Sequence, residues 1–125
     1  MLTKQQTSAV EHRPTLSTIL PIATPNGFTL LEGHRVGGTT SHRFWVCGPA
    51  GTQQSISVRF DRSLIERVDH ARGTHLWIGS RFWGLRAEAH LESYLVETAN
   101  YPPNGQLVID ELPDDELLLA AYWQD

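Results

Sequence analysis

Residues 43–61, RFWVCGPAGTQQSISVRFD, decide the fold of this chain. Arg43 to Cys47 is aromatic and β-branched, a Gly-Pro-Ala-Gly turn follows, and Gln53 to Phe60 alternates strictly between polar and apolar side chains. A period of two next to a turn is typical of a β-hairpin. Asp61 then stands where a helix N-cap would accept hydrogen bonds from free amides. The stretch therefore predicts a strand–turn–strand unit that leads directly into a helix.

Three segments after the hairpin carry the marks of helices, and they lie near 62–72, 82–98 and 114–123. The first has an apolar stripe that Gly73 ends. On the second, the pattern predicts an inner face of Leu91, Tyr94, Leu95 and Thr98 and a solvated face of Glu88, Glu92 and Glu97. The third begins with Pro113 and acids, which the positive end of the helix dipole favours. Its body, Leu117 to Trp123, is apolar nearly all round, which predicts burial.

Strands near 28–36 and 106–109 complete the predicted elements. Strands followed by helices argue for an α+β fold, with a small antiparallel sheet covered on one face by the three helices. We expect the sheet to contain the hairpin 43–60 and these two strands. A chain of 125 residues suits one domain. We therefore expect a flexible, polar N-terminal arm over residues 1–14 and a single domain over residues 15–125.

The charges of the chain are divided between its two parts. Residues 1–86 hold all ten basic side chains and five acids, whereas residues 87–125 hold nine acids and no Lys or Arg. Such asymmetry bears on partners rather than on fold. Helix capping and a solvated helix face explain the positions of the acids, but not the absence of compensating bases. The pattern predicts an acidic C-terminal docking face for a protein partner at Glu88, Glu92 and Glu97.

The stretch GHRVGGTT, residues 33–40, is a second candidate binding segment. Its glycines suit a phosphate loop, but the motifs of such loops are absent from it, so a mobile hairpin tip is the better interpretation. Exposed Gly-rich tips that carry Arg and His often bind partners. His34 and Arg35 are therefore candidate partner-binding residues.

The four tryptophans, Trp45, Trp77, Trp83 and Trp123, allow two interpretations. Tryptophan buries a large apolar area, which favours the core of a small domain. It is also enriched among the residues that dominate binding interfaces. We predict that these residues belong to the core.

The sequence predicts no catalytic, cofactor or metal site. No two of the six histidines have the i, i+4 spacing of a helical metal pair. The only lysine, Lys4, falls in the predicted arm, which argues against Schiff-base and P-loop chemistry. Cys47 is the only cysteine, and the N-terminus has no apolar signal-peptide core, so we expect a cytoplasmic protein. The longest near-apolar run, Leu117 to Trp123, is too short to span a bilayer, so we expect no membrane partner.

Residues 55–69, SISVRFDRSLIERVD, resemble the opening of a ribbon-helix-helix DNA-binding protein, in which an alternating strand leads into a first helix. Gly79-Ser80-Arg81 is similar to the start of the second helix in that family. The resemblance covers residues 55–95. It implies a homodimer whose paired strands enter the major groove, with Ser55, Ser57 and Arg59 directed at bases.

The stretches PNGFTLLEGHRVGGTTSHRFWV, RFWGLRAEAHLESYL and DELLLAAYW carry a second resemblance. Taken whole, the chain is similar to uncharacterised small proteins carried by bacterial integrative and conjugative elements. The resemblance implies a mobile genetic element, a setting in which small non-enzymatic modulators are common. It implies no role for any particular residue.

Our leading hypothesis is a non-enzymatic interaction protein, without cofactors, that binds a protein partner through the acidic face or the Gly-rich tip. The alternative is a dimeric regulator of the ribbon-helix-helix type, with nucleic acid as the partner. An inhibitor of host defence is one specific form of the leading hypothesis. A small hydrolase that uses His42 or His90 is the remaining hypothesis.

Overall fold

The computed structural model describes residues 20–124 of the chain, and the predicted arm, residues 1–14, lies outside this range. The strands are β1 (Ile22–Ala23), β2 (Thr29–Arg35), β3 (Ser41–Cys47), β4 (Gln53–Phe60) and β5 (Gln106–Ile109). The α-helices are α1 (Arg62–Arg72), α2 (Arg81–Thr98) and α3 (Asp114–Ala121). A 3-10 turn at Pro103–Gly105 precedes β5. These elements confirm the predicted α+β class.

The five strands form one sheet in the order β1-β2-β3-β4-β5. The predicted hairpin is present, with β3 antiparallel to β4 and Phe44 opposite Ile56. β1, β2 and β3 are also antiparallel to their neighbours. The β4–β5 pairing is parallel, because the chain returns to the free edge of β4 through α1 and α2. β1 lies in a proline-bearing segment for which the sequence predicted no strand.

The helices cover one face of the sheet, as predicted. The period of two in β4 places Ile56, Val58 and Phe60 on the covered face, where all three are fully buried. On the helix side, the fully buried apolar residues are Leu64, Val68, Phe82, Trp83, Ala87, Leu91, Leu95 and Ala120. Burying one such large side chain contributes about 1.5–3 kcal/mol to folding. Sheet and helices therefore share one apolar core.

The predicted ends of the first two helices are confirmed. The Asp61 side chain accepts a hydrogen bond from the Ser63 amide, and Gly73 ends α1 with φ of 78°. Ser80 caps α2 by accepting from the Phe82 amide at 3.2 Å. α2 ends without a glycine, and Asn26 Nδ2 donates to its Leu95 carbonyl at 2.9 Å. The Leu95 carbonyl also accepts from the Ala99 amide, so the Asn26 side chain adds a second hydrogen bond that ties the end of α2 to the β1–β2 turn.

The predicted faces of α2 are partly wrong. Glu88, predicted to face water, is only 4% exposed, whereas Thr98, predicted to face inward, is exposed. The core-facing stripe runs through Gly84, Glu88, Leu91 and Leu95, whose spacing of three and four residues places them on one side of a helix. Glu88 therefore belongs to the buried face and not to a solvated docking face.

The predicted burial of the α3 body is observed on only one side of the helix. Ala120 is buried, but Leu118 is 61% exposed and Tyr122 is 79% exposed. α3 packs against α1, which covers only part of its surface. Arg72 on α1 donates to the carbonyls of Ala120 at 2.7 Å and Trp123 at 3.0 Å. The last turn of α3 has no base of its own, so this guanidinium supplies the positive charge that a helix C-terminus favours.

The tryptophans divide between core and surface. Trp83 is completely buried, which confirms the prediction for this residue, and Trp123 packs against the core while remaining partly exposed. Trp45 and Trp77 are 42% and 62% exposed, so the prediction is wrong for these two. The ring of Trp45 projects from the uncovered side of β3, where no helix can bury it.

We expect Gly33→Ala to destabilise the fold much more than Gly79→Ala. A β-carbon at Gly33 would lie 2.5 Å from Phe44 Cδ1, and one at Gly79 would lie 2.5 Å from Trp77 Cζ2. The Phe44 ring is completely buried and cannot move aside, whereas the Trp77 ring is exposed and can. Overpacking predicts a loss of roughly 1–3 kcal/mol for Gly33→Ala. Urea unfolding of the two variants measures the difference, and equal losses would contradict this account.

Candidate functional site

A groove of about 420 Å³ lies where α2, β5 and the start of α3 meet. We call it the acidic groove. Four carboxylates contribute to its walls, from Glu97, Asp110, Glu111 and Glu116. Its apolar walls include Ala89, Tyr94, Leu107 and Pro113. The groove thus combines negative charge with apolar surface at one edge of the sheet.

Local structure explains why these residues meet. On α2, residues 90, 93, 94 and 97 are three or four positions apart, so they share one side of the helix. Asp110 and Glu111 follow the end of β5, which the parallel pairing brings to the edge of the sheet beside α2. Glu116 lies in the first turn of α3. The acidic bias of the C-terminal part is therefore concentrated around one depression.

Glu116 is the carboxylate of the groove that Arg86 and His90 contact. Its Oε2 lies 3.2 Å from Arg86 Nη1, and its Oε1 lies 2.8 Å from His90 Nε2. The side chains of Arg86, His90 and Glu116 are all at least three-quarters buried. Over residues 20–124, the ion pairs that reach the groove all involve Glu116. Glu97, Asp110 and Glu111 are exposed and keep their negative charge available to a partner.

Arginines of the basic part cross to the acidic part, where Arg86 pairs with the Glu116 carboxylate and two others bind backbone oxygens. Arg67 donates through Nη2 to the Asp110 carbonyl, and Arg72 caps the end of α3. These two backbone contacts hold β5 and α3 against α1. The arginines therefore stabilise the packing while the groove remains acidic.

The three predicted residues of the acidic face lie in three different environments. Glu97 lines the groove. Glu92 is half-buried on α2 and outside the groove walls, and Glu88 is in the core. Asp110 and Glu111 were not among the predicted residues. Their position after a short strand was visible in the sequence, but their proximity to α2 depends on the parallel return of the chain.

The Gly-rich tip does not present its two candidate residues together. His34 and Arg35 are neighbours on β2, so their side chains point to opposite faces of the sheet. His34 lies opposite Arg43 on the uncovered face. Arg35 lies on the helix-covered side, where its guanidinium carbon is 5.6 Å from the centroid of the Trp77 ring. The tip itself, residues 36–40, remains largely exposed.

Ser55, Ser57 and Arg59 share the uncovered face of the sheet, and Arg59 is exposed. β4, which carries them, is paired along one edge with β3 and along the other with β5. A ribbon-helix-helix dimer requires this strand to pair with its copy in a second chain. The free strand edge on which that mode of binding depends is therefore already occupied within the chain.

The histidines considered for a hydrolase have different surroundings. His42 is completely buried and faces the Phe60 ring edge to face, at a centroid distance of 5.8 Å. Burial, with the nearby charges of Arg35 and His34, lowers the pKa of His42 to about 4. His42 is therefore closed off from any substrate. His90 lines the acidic groove, where its hydrogen-bond partner is Glu116.

Within residues 20–124, no three His, Cys, Asp or Glu side chains are grouped so that they could hold a metal ion. No helix in the same range combines the length and the apolar character that crossing a bilayer requires. No protein-family model matches the chain, and neither a curated protein nor a solved structure shows significant similarity to it.

Proposed function

We propose that this chain is a non-enzymatic interaction protein that binds an Arg- or Lys-rich segment of a partner protein in the acidic groove. The observation that supports the proposal is the convergence of Glu97, Asp110 and Glu111 around apolar walls, without cationic partners in the described part of the chain. Exposed like charges that are held together repel one another, and a cationic ligand relieves this repulsion.

The apolar walls favour a cationic side chain over a small ion. Arg and Lys bury their aliphatic stems against apolar surface while the charged heads remain in contact with acids and water. Tyr94 and Leu107 supply such surface beside the carboxylates. Complementary charge of this kind raises the association rate and selects the partner, and both effects depend on salt.

The setting that we propose follows the resemblance described above. The protein would act in the bacterial cytoplasm, on a mobile genetic element, as a modulator of a basic partner. An inhibitor of host defence is one form that such a modulator can take.

Removing the three uncompensated charges of the groove is expected to abolish most of the binding. The groove variant carries Glu97→Gln, Asp110→Asn and Glu111→Gln. The probe is a fluorescent synthetic peptide of alternating arginine and leucine, and anisotropy measures its Kd. Exposed charge pairs contribute about 0.2–1 kcal/mol each, so we expect the affinity of the groove variant to fall roughly tenfold. Binding by the wild type is also expected to weaken as sodium chloride is added.

The matched control carries Glu66→Gln, Asp114→Asn and Asp115→Asn, which change the net charge equally at exposed positions outside the groove walls. We expect it to bind the peptide nearly as well as the wild type. A peptide with glutamate in place of arginine should not bind. An equal loss of peptide affinity in both variants would mean that only net charge matters, and that result would refute the groove as the binding site.

A further inference from the structure

The side of the sheet opposite the helices carries an exposed tryptophan among polar and cationic side chains. We call this surface the open sheet face, and it is defined by His34, Arg43, Trp45, Ser55, Ser57 and Arg59. The strand registers place Trp45 opposite Ser55 and Arg43 opposite Ser57. These side chains therefore form adjacent rows on one continuous surface.

Trp45 occupies the middle strand of this surface. Its chain neighbours Phe44 and Val46 point into the core and are completely buried, whereas Trp45 is 42% exposed. Ser55 is a small neighbour that leaves the indole accessible across the hairpin. The exposed part of the ring offers apolar area that a ligand can cover. A flat ring within a polar surface is well suited to stacking on another flat ring.

The open sheet face carries two arginines at different distances from this ring. Arg43 is exposed, and it is two residues from Trp45 on the same strand. Arg59 lies 4.0 Å from Asp61, with both side chains more than two-fifths exposed, so this pair neutralises its charge only weakly. One carboxylate, Glu32, lies on the same face opposite Trp45. Arg43 is therefore the closer guanidinium to the ring, and Arg59, opposite Ser41, stands four residues further along the strands. The two guanidinium groups face the carboxylates of Glu32 and Asp61.

Trp45 lies away from the acidic groove. Trp45 and Arg43 lie on β3, two strands from β5, whereas Arg59 on β4 pairs with Val108, which lines the groove. Neighbouring strands are about 4.8 Å apart, so roughly 10 Å separates β3 from β5. A negatively charged ligand can therefore approach the tryptophan without crossing the groove.

We propose that the open sheet face binds an unpaired nucleic-acid strand, with a base stacked on Trp45 and phosphates contacted by Arg43 and Arg59. Aromatic side chains on an exposed sheet stack on unpaired bases, and arginines beside them follow the phosphates. A duplex hides its base faces within its own stack, so it cannot use the tryptophan. A protein interface would centre on several apolar side chains, whereas the strand neighbours of Trp45 on this face are Ser55, Glu32 and Arg43.

The contacts of this proposal use bases and phosphates, which DNA and RNA share. We therefore expect labelled oligothymidylate and oligouridylate to bind with similar affinity in fluorescence anisotropy, and a duplex of the same length to bind at least tenfold more weakly. Trp45→Ala is expected to weaken single-strand binding roughly 5- to 100-fold. Arg43→Gln with Arg59→Gln should also reduce the salt dependence, by roughly 0.7 in the logarithmic slope for each lost phosphate contact.

Matched controls test whether binding depends on this surface or only on the total charge and the number of exposed aromatic residues. Trp77→Ala removes another exposed tryptophan, and Arg62→Gln with Arg81→Gln removes two exposed arginines from the helices. Both control variants should bind single strands with the affinity of the wild type. The groove variant should also bind them undiminished, so a failure of either binding site leaves the other testable.

Three results would overturn the proposal. The first is an absence of binding to both single strands at low salt. The second is unchanged affinity in Trp45→Ala, and the third is a duplex that binds as tightly as a single strand. Because the substituted side chains of the open sheet face are solvent-accessible, circular dichroism should report an intact fold for each variant.

Discussion

Trp83→Ala is expected to lower the free energy of unfolding by about 3–5 kcal/mol. The residue is completely buried at the start of α2. Its ring centroid lies 4.7 Å from that of Phe60 on β4 and 5.1 Å from that of Phe82. The indole nitrogen has no hydrogen-bond partner within the described part of the chain, so apolar burial and ring packing account for the contribution of this side chain.

This loss is a large part of the total stability of a small domain, which is about 5–15 kcal/mol. Urea unfolding followed by far-ultraviolet circular dichroism measures it without relying on tryptophan emission. Trp77→Ala is the matched control, because Trp77 is 62% exposed and its contact is with the Arg35 guanidinium. We expect the control to lose less than about 1 kcal/mol. Similar losses in the two variants would show that Trp83 is not central to the core.

His42 is expected to make the fold sensitive to mild acid. Its pKa is 6.5 in the unfolded chain and about 4 in the folded chain, because burial disfavours the charged ring and because Arg35 and His34 lie nearby. Neither ring nitrogen has a hydrogen-bond partner in the described part of the chain. The folded protein therefore holds this ring in its neutral form.

The direction in which stability changes with pH follows from proton binding. Between pH 6.5 and about pH 4 the unfolded chain binds a proton at this histidine and the folded chain does not. The contribution of His42 to stability is therefore fully present above pH 6.5 and declines as the pH falls towards 4. The shift corresponds to roughly 3 kcal/mol over that interval. The hydrogen bond from Ser63 lowers the pKa of Asp61, and this effect acts in a separate, more acidic range, below the pKa of 3.8 of an unperturbed aspartate.

His42→Leu is expected to remove this part of the pH dependence. At pH 7 its stability should stay within about 1.5 kcal/mol of the wild type, because an apolar side chain of similar volume replaces a ring that makes no hydrogen bond. His70→Gln, at an exposed position on α1, should retain the decline. Urea unfolding at a series of pH values measures all three proteins. A wild-type curve that is flat between pH 6.5 and 4 would contradict the assignment.

The candidate sites could be predicted only in part. Charge counting identified the acidic C-terminal part and Glu97, but it also selected Glu88, which the helical spacing of its neighbours places in the core. Asp110 and Glu111 join Glu97 only because β5 returns parallel to β4, a pairing that depends on residues distant in the chain. The exposure of Trp45 could have been anticipated, because strict alternation with Phe44 and Val46 puts it on the opposite face.

The sequence by itself determined the local elements. A period of two set the hairpin, helical spacing set α1 and α2, and Asp61, Gly73 and Ser80 set their ends, because these signals act between residues close in the chain. Only the tertiary structure decided which faces are covered. The burial of Glu88, the exposure of Tyr122 and the convergence of carboxylates in the acidic groove all depend on which distant element packs against each surface. Short-range periodicity does not contain that information.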